Sequence, residues 1–258
     1  MDIIDAHTHV QFPQFDEDRD EVIARAKEKG IGMVQVGTDL VMSQKACELA
    51  SQHDGMWATV GIHPHGAADM NKFPLEEMKN LLSQDVVVGV GECGFDFYNM
   101  SQEERHSARE TQQPLFKEQI ALSVAFKKPL VIHTRDAFEE TLSVLEEQAQ
   151  KNSLRGIAHF FTGGKEEAQR FLDLGFYFTF GGLITHNRSF DDVIRFIPKD
   201  RVLVETDAPY VAPAGQRGKR NEPSYITETI QALADIYDES YEKVKERVRD
   251  NTKAIFGI

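Results

Sequence analysis

Short apolar runs alternate with longer amphipathic stretches along the chain. Eight runs are rich in β-branched and aromatic residues, as expected of buried strands. They cover residues 3–5, 32–36, 57–61, 86–90, 130–132, 156–160, 176–180 and 202–204. Between most of them, apolar residues recur every three or four positions, which predicts helices. Strands of this kind alternating with helices indicate a parallel sheet covered by helices. Eight such units predict an α/β fold, a closed (β/α)8 TIM barrel.

An open, doubly wound sheet is the main alternative to the barrel. A dinucleotide-binding version of that sheet carries a Gly-x-Gly-x-x-Gly turn after its first strand, and this chain has none there. The length of 258 residues suits a single barrel, and the chain shows no low-complexity linker. We therefore expect one domain over residues 1–258.

Several residues predict where helices begin, break or end. Ser43 and Asp136 are expected to cap the helices that follow them. Pro114 interrupts a long helical pattern, so a new helix is expected to start there and to run to about Phe126. Two helical patterns fill the C-terminal part, the second from Tyr241 to about residue 256.

Composition limits the classes of function. The chain is 41% hydrophobic and 28% charged, as in ordinary water-soluble proteins, and no segment resembles a signal peptide or a membrane span. Two cysteines without a spacing pattern favour a reducing compartment, so a cytoplasmic protein is expected, with no membrane association and no obligate protein partner. The net charge of −13 argues against a broad basic face, so contact with nucleic acid must be local or mediated by metal.

Potential metal ligands follow five of the predicted strands. The C-terminal ends of the strands meet at one face of a barrel, where the active sites of such enzymes lie. A single histidine or carboxylate at a strand end is usually an ordinary loop residue, but six at the same face predict a metal site. The six residues are His7, His9, Glu92, His133, His159 and Asp207.

Six ligands exceed the three that one catalytic zinc usually takes from protein. Two divalent ions that share a carboxylate fit the set better, and Glu92 is the natural bridge because its carboxylate has two oxygens. Histidine-rich ligation suits zinc, whereas carboxylates and phosphate chemistry also admit Mg²⁺ or Mn²⁺. The metal identity therefore stays open.

Seven motifs in chain order carry a family resemblance. They are Asp-Ala-His-Thr-His at 5–9, Gly-Ile-His-Pro-His at 61–65, Gly-Glu-Cys-Gly-Phe-Asp at 91–96, Ile-His-Thr-Arg-Asp at 132–136, His-Phe-Phe-Thr-Gly at 159–163, Glu-Thr-Asp-Ala-Pro-Tyr at 205–210 and Arg-Gly-Lys-Arg-Asn-Glu-Pro at 217–223. With these motifs the chain resembles the TatD family of metal-dependent deoxyribonucleases, within the amidohydrolase superfamily.

The resemblance implies a division of the ligands between two metals. One metal would take His7, His9, Glu92 and Asp207, and the other would take Glu92, His133 and His159. It also implies hydrolysis of phosphodiester bonds with a water activated by two metals, in a 3′–5′ exonuclease-like mode. DNA ends or another phosphodiester would be the substrate.

Two other classes of function compete with the nuclease. Some relatives of the family are similar to D-aminoacyl-tRNA deacylases, and other ester or amide hydrolases of the superfamily use the same metals. A metal-binding protein without catalysis is the third possibility, and the complete ligand set with Asp207 disfavours it.

Two acidic residues near the eighth strand are assigned catalytic roles. Asp207 is expected to position the attacking water and to accept its proton. Glu205 is expected to orient a ligand histidine, although a role as an ordinary salt-bridge partner explains a glutamate at this position equally well.

Five basic residues are predicted to bind substrate. His63 and His65 follow the third strand and are expected to contact phosphate or to supply a proton to the leaving oxygen. Arg135 follows the fifth strand, where a structural ion pair is the alternative to a phosphate contact. Arg217 and Arg220 belong to the only dense basic cluster, on a loop predicted at the catalytic face, and a guanidinium suits phosphate.

Overall fold

Eight parallel strands pair in chain order in the computed structural model, which describes residues 1–67 and 73–258. The strands are β1 (Ile3–Thr8), β2 (Ile31–Val36), β3 (Met56–Val60), β4 (Val87–Asp96), β5 (Leu130–Arg135), β6 (Gly156–Ala158), β7 (Tyr177–Phe180) and β8 (Val202–Val204). Beyond β8, the N–H of Asp207 donates to the carbonyl of His7 at 2.9 Å, which joins the last strand to the first. The (β/α)8 barrel is thereby confirmed.

Helices surround the strands. In the described part of the chain they are α1 (Arg19–Glu28), α2 (Leu40–Gln52), α3 (Leu75–Leu82), α4 (Gln102–Phe126), α5 (Phe138–Ala149), α6 (Lys165–Asp173), α7 (Asp191–Phe196), α8 (Ile226–Tyr237) and α9 (Tyr241–Phe256). None of these helices is long and apolar enough to cross a membrane.

The predicted break at Pro114 is wrong, because α4 continues through it as one helix of 25 residues. Proline removes one backbone hydrogen bond and crowds the preceding turn. Pro114 lies on the exposed face of α4, and Glu110, whose carbonyl loses its partner, is also exposed. Water can therefore satisfy that carbonyl, and the packed face of the helix stays intact.

Two predicted helix caps are also wrong. Asp39 caps α2 by accepting the N–H of Met42 at 2.7 Å, whereas Ser43 is buried inside the helix and bonds the backbone of Gly61. Asp136 has a left-handed φ of +54° and makes no capping bond to α5, which begins one residue later than the prediction assumed.

Two layers of apolar side chains make up the core. The larger layer lies between the strands and the helices, and it includes Phe176, Phe178 and Phe180, as the sequence predicts. The second layer brings together apolar residues from six strands with Ile255 and Phe256 of α9. Its strand residues are Ile4, Ala6, Val34, Val36, Val88, Val131, Ile157 and Leu203, and partly buried Trp57 packs against them.

Three strands extend further than the apolar pattern indicates. The strands β1, β4 and β5 continue to Thr8, Asp96 and Arg135, so His7, Glu92 and His133 lie within strands. The strand register shifts between residues 5 and 8 and between residues 90 and 93, next to two of these residues. Such irregularities redirect side chains beside active sites.

Two glycines allow β4 to approach β5 closely on either side of Glu92. Gly91 and Gly94 have φ values of +142° and +140°, which other residues rarely adopt. A Cβ at these positions would lie 2.4 Å from the carbonyl oxygen of Val131 and 2.1 Å from that of His133. The Gly-Glu-Cys-Gly sequence therefore sets how close Glu92 and His133 come.

Candidate active site

The two histidines of the His-x-His motif converge with Asp207. Their Nε2 atoms lie 3.1 Å apart. The Oδ1 of Asp207 lies 3.4 Å from the Nε2 of His9 and 3.7 Å from that of His7. The Nδ1–H of His9 donates to the carbonyl of Val36 at 2.8 Å, which leaves a lone pair on its Nε2. We call His7, His9 and Asp207 the first ligand group.

His133 and His159 converge at the other side of Glu92. The Oε1 of Glu92 lies 2.7 Å from the Nδ1 of His133 and 2.9 Å from the Nε2 of His159. The other nitrogen of His133 lies 3.0 Å from the Oδ2 of Asp96, which accepts the Nε2–H, so the Nδ1 atom faces inward. We call His133 and His159 the second ligand group.

Glu92 lies between the two groups, with a different oxygen facing each. Its Oε2 is 3.4 Å from the Nε2 of His7 and 3.8 Å from the Nε2 of His9, while its Oε1 faces the second ligand group. The side chain is almost completely buried. A single carboxylate therefore lies between two groups of converging ligand atoms.

Electrostatics favour positive charge between these groups. Burial alone would raise the pKa of Glu92, but the neighbouring histidines, His159 foremost, outweigh burial and hold the pKa well below its usual value. Burial lowers the pKa of His7, which favours the neutral imidazole that binds metal. Burial would also lower the pKa of His159, but Glu92 and Glu205 raise it well above the usual value.

Glu205 is fully buried behind two of the histidines. Its Oε1 faces the Nδ1 of His159 at 3.5 Å and its Oε2 faces the Nδ1 of His7 at 3.9 Å. None of these four atoms has a hydrogen-bond partner among the described residues. Each of the two rings thus has a carboxylate behind it and Glu92 in front of it.

The donor set fits divalent cations. Imidazole nitrogens and carboxylate oxygens are the ligands that zinc takes, and carboxylates also bind Mg²⁺ and Mn²⁺. The inward nitrogens of His9 and His133 face Glu92 or its neighbours while their outer nitrogens are engaged elsewhere, so in the neutral rings the inward lone pairs are free to bind a cation. Outer carboxylates that orient ligand histidines are a usual part of such sites.

His63 and His65 lie on the rim of this site. The N–H of His65 donates to the Nδ1 of His63 at 3.2 Å, so the neutral ring of His63 carries its hydrogen on Nε2, 3.6 Å from the Oε1 of Glu92. Burial lowers the pKa of His63 to about 3, so this ring is a neutral donor. His65 is exposed, and its Nε2 lies 3.1 Å from the Oδ2 of Asp96.

The three predicted phosphate-binding arginines have different surroundings. Arg135 is exposed, and its guanidinium carbon lies 3.5 Å from the ring centroid of Tyr98. Neither Arg135 nor Arg217 forms an ion pair within residues 1–67 and 73–258. Arg220 makes two bonds to the carboxylate of Asp18, at 2.8 and 2.6 Å, so its guanidinium is already engaged in a structural ion pair.

Sequence reasoning missed three polar residues that support the site. Asp96 holds His133, and Asp5 accepts hydrogen bonds from the backbone of His7 and from Thr206. Asn221 donates to the carbonyls of residues 206, 210 and 211, around the loop that carries Asp207. All three residues stand in the quoted motifs, but only the folded chain shows their partners.

Replacing Asn221 by alanine is expected to lower the free energy of unfolding by about 2–4 kcal/mol, because three carbonyls lose their donor. Two residues of this loop, Asp207 and Val211, have left-handed φ values of +52° and +43°, which persist only where surrounding contacts enforce them. Urea unfolding followed by circular dichroism measures the change.

Asn152 provides the matched control for that experiment. Among the described residues its side chain makes a single bond, to the carbonyl of Gln148 at 3.2 Å, so Asn152→Ala is expected to destabilise by less than about 1 kcal/mol. Equal losses in the two variants would show that Asn221 does not hold the loop.

Comparisons with known proteins agree with this geometry. The model of the family described as TatD related DNase matches residues 4–257. The metal-dependent hydrolase YabD of Bacillus subtilis is 36% identical, over 99% of both chains. The 3′-5′ ssDNA/RNA exonuclease TatD of Klebsiella pneumoniae is 33% identical, over 99% of this chain and 98% of that one.

A solved structure shows the same fold over the whole length. The crystal structure of YjjV, a TatD homologue from Escherichia coli K12, superposes with a TM-score of 0.90 at 27% identity, over 100% of this chain and 98% of that one. Because the family model spans nearly every residue and full-length relatives exceed 30% identity, the chain belongs to the TatD family of metal-dependent hydrolases.

Proposed function

We propose that this protein is a two-metal phosphodiesterase that removes nucleotides from the 3′ ends of nucleic acids. The observation that carries the proposal is the position of Glu92, whose two oxygens face two separate ligand groups. A paired metal site needs such a shared carboxylate, since its ions lie about 3.5–4 Å apart. The name of the Klebsiella pneumoniae relative supports the choice of substrate.

The first ligand group and the Oε2 of Glu92 would hold one cation, and the second ligand group and Oε1 would hold the other. Bound there, the cations supply a lowered pKa for an attacking water and neutralise charge on the phosphodiester. Glu205 would orient His7 and His159 from behind, since each of its oxygens faces one of their outer nitrogens.

Asp207 is suited to hold the attacking water and to accept its proton. Its Oδ1 faces His7 and His9, and its side chain is 16% exposed, so the carboxylate reaches the open side of the site. Charged neighbours outweigh burial and lower its pKa, which keeps the carboxylate ionised and able to accept a proton.

His63 is suited to bind a phosphate oxygen. Its Nε2–H points toward the centre of the site, 3.6 Å from Glu92, and its other nitrogen is already engaged by the backbone of His65. A neutral donor at this point stabilises developing negative charge without transferring its proton. We therefore assign His63 to the phosphate contact, one of the two roles predicted for it. His65 and Arg135 would bind substrate further out on the rim.

A substrate panel tests the proposed function. Protein stripped by a chelator is reloaded with Zn²⁺, Mg²⁺ or Mn²⁺ and assayed on 3′-labelled and 5′-labelled single-stranded DNA, a chromogenic phosphodiester and a D-aminoacyl-tRNA. The proposal expects activity on DNA that disappears on stripping and returns with metal, with products shortened from the 3′ end. Hydrolysis of the D-aminoacyl ester without DNA cleavage would contradict it and favour the deacylase alternative.

Arg217→Ala is expected to weaken the binding of single-stranded DNA and to make its salt dependence shallower. Loss of one phosphate contact changes the slope of log affinity against log salt by about 0.7 for a single strand. Arg217 forms no ion pair with a described residue, so it is available for phosphate. Fluorescence anisotropy at several salt concentrations gives the slope.

Arg220→Ala serves as the comparison, because Arg220 is paired with Asp18. This variant is expected to leave the slope nearly unchanged and to destabilise by about 0.2–1 kcal/mol, as for a partly exposed ion pair. A larger change of slope for Arg220→Ala than for Arg217→Ala would restore the phosphate contact predicted for Arg220 and remove that of Arg217.

A further inference from the structure

Two half-exposed tyrosines lie on loops at the catalytic face. Tyr98 follows the end of β4 by two residues and is 48% exposed, and Tyr210 follows Asp207 by three residues and is 47% exposed. Neither hydroxyl makes a hydrogen bond in residues 1–67 and 73–258. Hydrogen bonding within the described chain therefore does not explain why tyrosines stand at these positions.

Tyr98 lies on the side of the second ligand group. Its backbone N–H donates to the Oδ1 of Asp96 at 2.9 Å, and the Oδ2 of the same carboxylate accepts from His133 at 3.0 Å. The guanidinium of Arg135 stacks over the ring at 3.5 Å. Both stacked side chains are exposed, and Arg135 ends β5 two residues after His133, so the stack presents a flat π surface on that side of the site.

Tyr210 lies on the opposite side, next to the first ligand group. Its ring centroid is 6.4 Å from that of His9. Two hydrogen bonds fix the backbone of Tyr210. Its N–H donates to the carbonyl of Asp207 at 2.9 Å, and its carbonyl accepts from the side chain of Asn221 at 2.7 Å. The backbone of Tyr210 is therefore held relative to Asp207, and the ring lies beside the first ligand group.

Aromatic rings and guanidinium planes are the surfaces on which proteins stack unpaired bases. We propose that the Tyr98–Arg135 stack and Tyr210 are two base-stacking sites, one on either side of Glu92, for the unpaired bases next to the cleaved phosphodiester. This inference rests on the proposed function, and it specifies that the protein recognises the unpaired bases of its substrate. Paired bases cannot enter such sites without unstacking, so single-stranded ends are the preferred substrate.

The first test measures stacking without cleavage. Metal-loaded protein is titrated with single-stranded DNA that carries 2-aminopurine near its 3′ end and hydrolysis-resistant phosphorothioate linkages there. Stacking quenches 2-aminopurine fluorescence. Tyr98→Phe and Tyr210→Phe are expected to keep the quenching, because they keep the ring, whereas Tyr98→Ala and Tyr210→Ala are expected to lose a large part of it.

The second test measures what the base contributes to turnover. In the wild-type protein, replacing a base next to the cleaved bond by an abasic analogue is expected to lower kcat/KM on the order of 10-fold, as for loss of one stacked base. In the alanine variant of the tyrosine that stacks this base, the same replacement is expected to have almost no further effect.

Phe196 supplies the control. It is an exposed aromatic residue, 39% accessible, at the C-terminal end of α7, away from the loops that follow β4 and β8. Phe196→Ala should show the wild-type quenching and the wild-type abasic penalty. An unchanged penalty and unchanged quenching in both tyrosine-to-alanine variants would overturn the stacking sites while DNA cleavage, and with it the proposed function, stands. Wild-type protein that cleaves no DNA with any metal would overturn the proposed function itself.

Discussion

Replacing Glu92 by glutamine is expected to abolish the paired metal site and to lower phosphodiester hydrolysis about 10³-fold or more. This loss in rate is larger than the one caused by removing a single donor that stabilises the transition state. Glutamine has the same shape, but one of its two polar atoms is an N–H₂ donor. Whichever way the amide turns, it presents hydrogens to one of the two ligand groups in place of an oxygen. Metal content should fall below two ions per chain.

Metal analysis by mass spectrometry, together with the rate on a chromogenic phosphodiester, measures both consequences. Glu166→Gln is a matched control, since Glu166 is exposed on α6 and lies outside the site. Circular dichroism shows whether the variant folds. A folded Glu92→Gln protein that keeps two ions and most of its activity would rule out the shared carboxylate.

Replacing Asp207 by asparagine is expected to leave bound metal largely in place and to lower kcat about 10²–10⁴-fold, the usual contribution of a general base. The amide oxygen of asparagine can still face His7 and His9, but an amide does not accept a proton from water at neutral pH. The change therefore separates ligation from proton transfer. The measurement is single-turnover hydrolysis at saturating metal, with metal content determined on the same sample.

Asp136 offers a close control for this substitution. It directly follows β5 with a φ of +54°, close to the +52° of Asp207, but its side chain is exposed and makes no hydrogen bond to a described residue. Asp136→Asn should keep wild-type turnover. Undiminished turnover of Asp207→Asn with metal retained would remove Asp207 from its assigned role.

The barrel and the place of the site follow from the sequence for a simple physical reason. Parallel strands buried on both faces read as apolar runs, and their C-terminal ends must meet at one face. Polar residues directly after such runs are therefore brought together even when they are far apart in the chain, as His7 and Asp207 are. The bridging position of Glu92 is a prediction from the number of ligands and from the two oxygens of its carboxylate.

Other features depend on contacts that no local pattern records. The register shifts beside His7 and Glu92 arise from pairing between strands, so the apolar runs gave strand ends that are too early. The partner of Arg220 is Asp18, 202 residues away, and a basic cluster by itself does not reveal an acidic partner across the fold. Asn221 likewise acts on carbonyls 10 to 15 residues before it.

Local rules failed where tertiary packing outweighed them. Proline usually ends a helix, yet α4 passes through Pro114 because that position faces solvent and the opposite face packs against the barrel. Ser43 has a hydroxyl that is able to cap a helix, but the residue lies within α2, and its hydroxyl bonds to the carbonyl and the N–H of Gly61. In both cases burial and hydrogen bonds to distant residues determine where the helix begins or continues, and the local sequence preference does not.

Anomalous diffraction from crystals of the metal-loaded protein tests the paired site most directly. Two peaks are predicted, about 3.5–4 Å apart, one between His7, His9 and the Oε2 of Glu92 and the other between His133, His159 and the Oε1 of Glu92. A single peak, or two peaks that do not share Glu92, would contradict the paired site and the mechanism built on it.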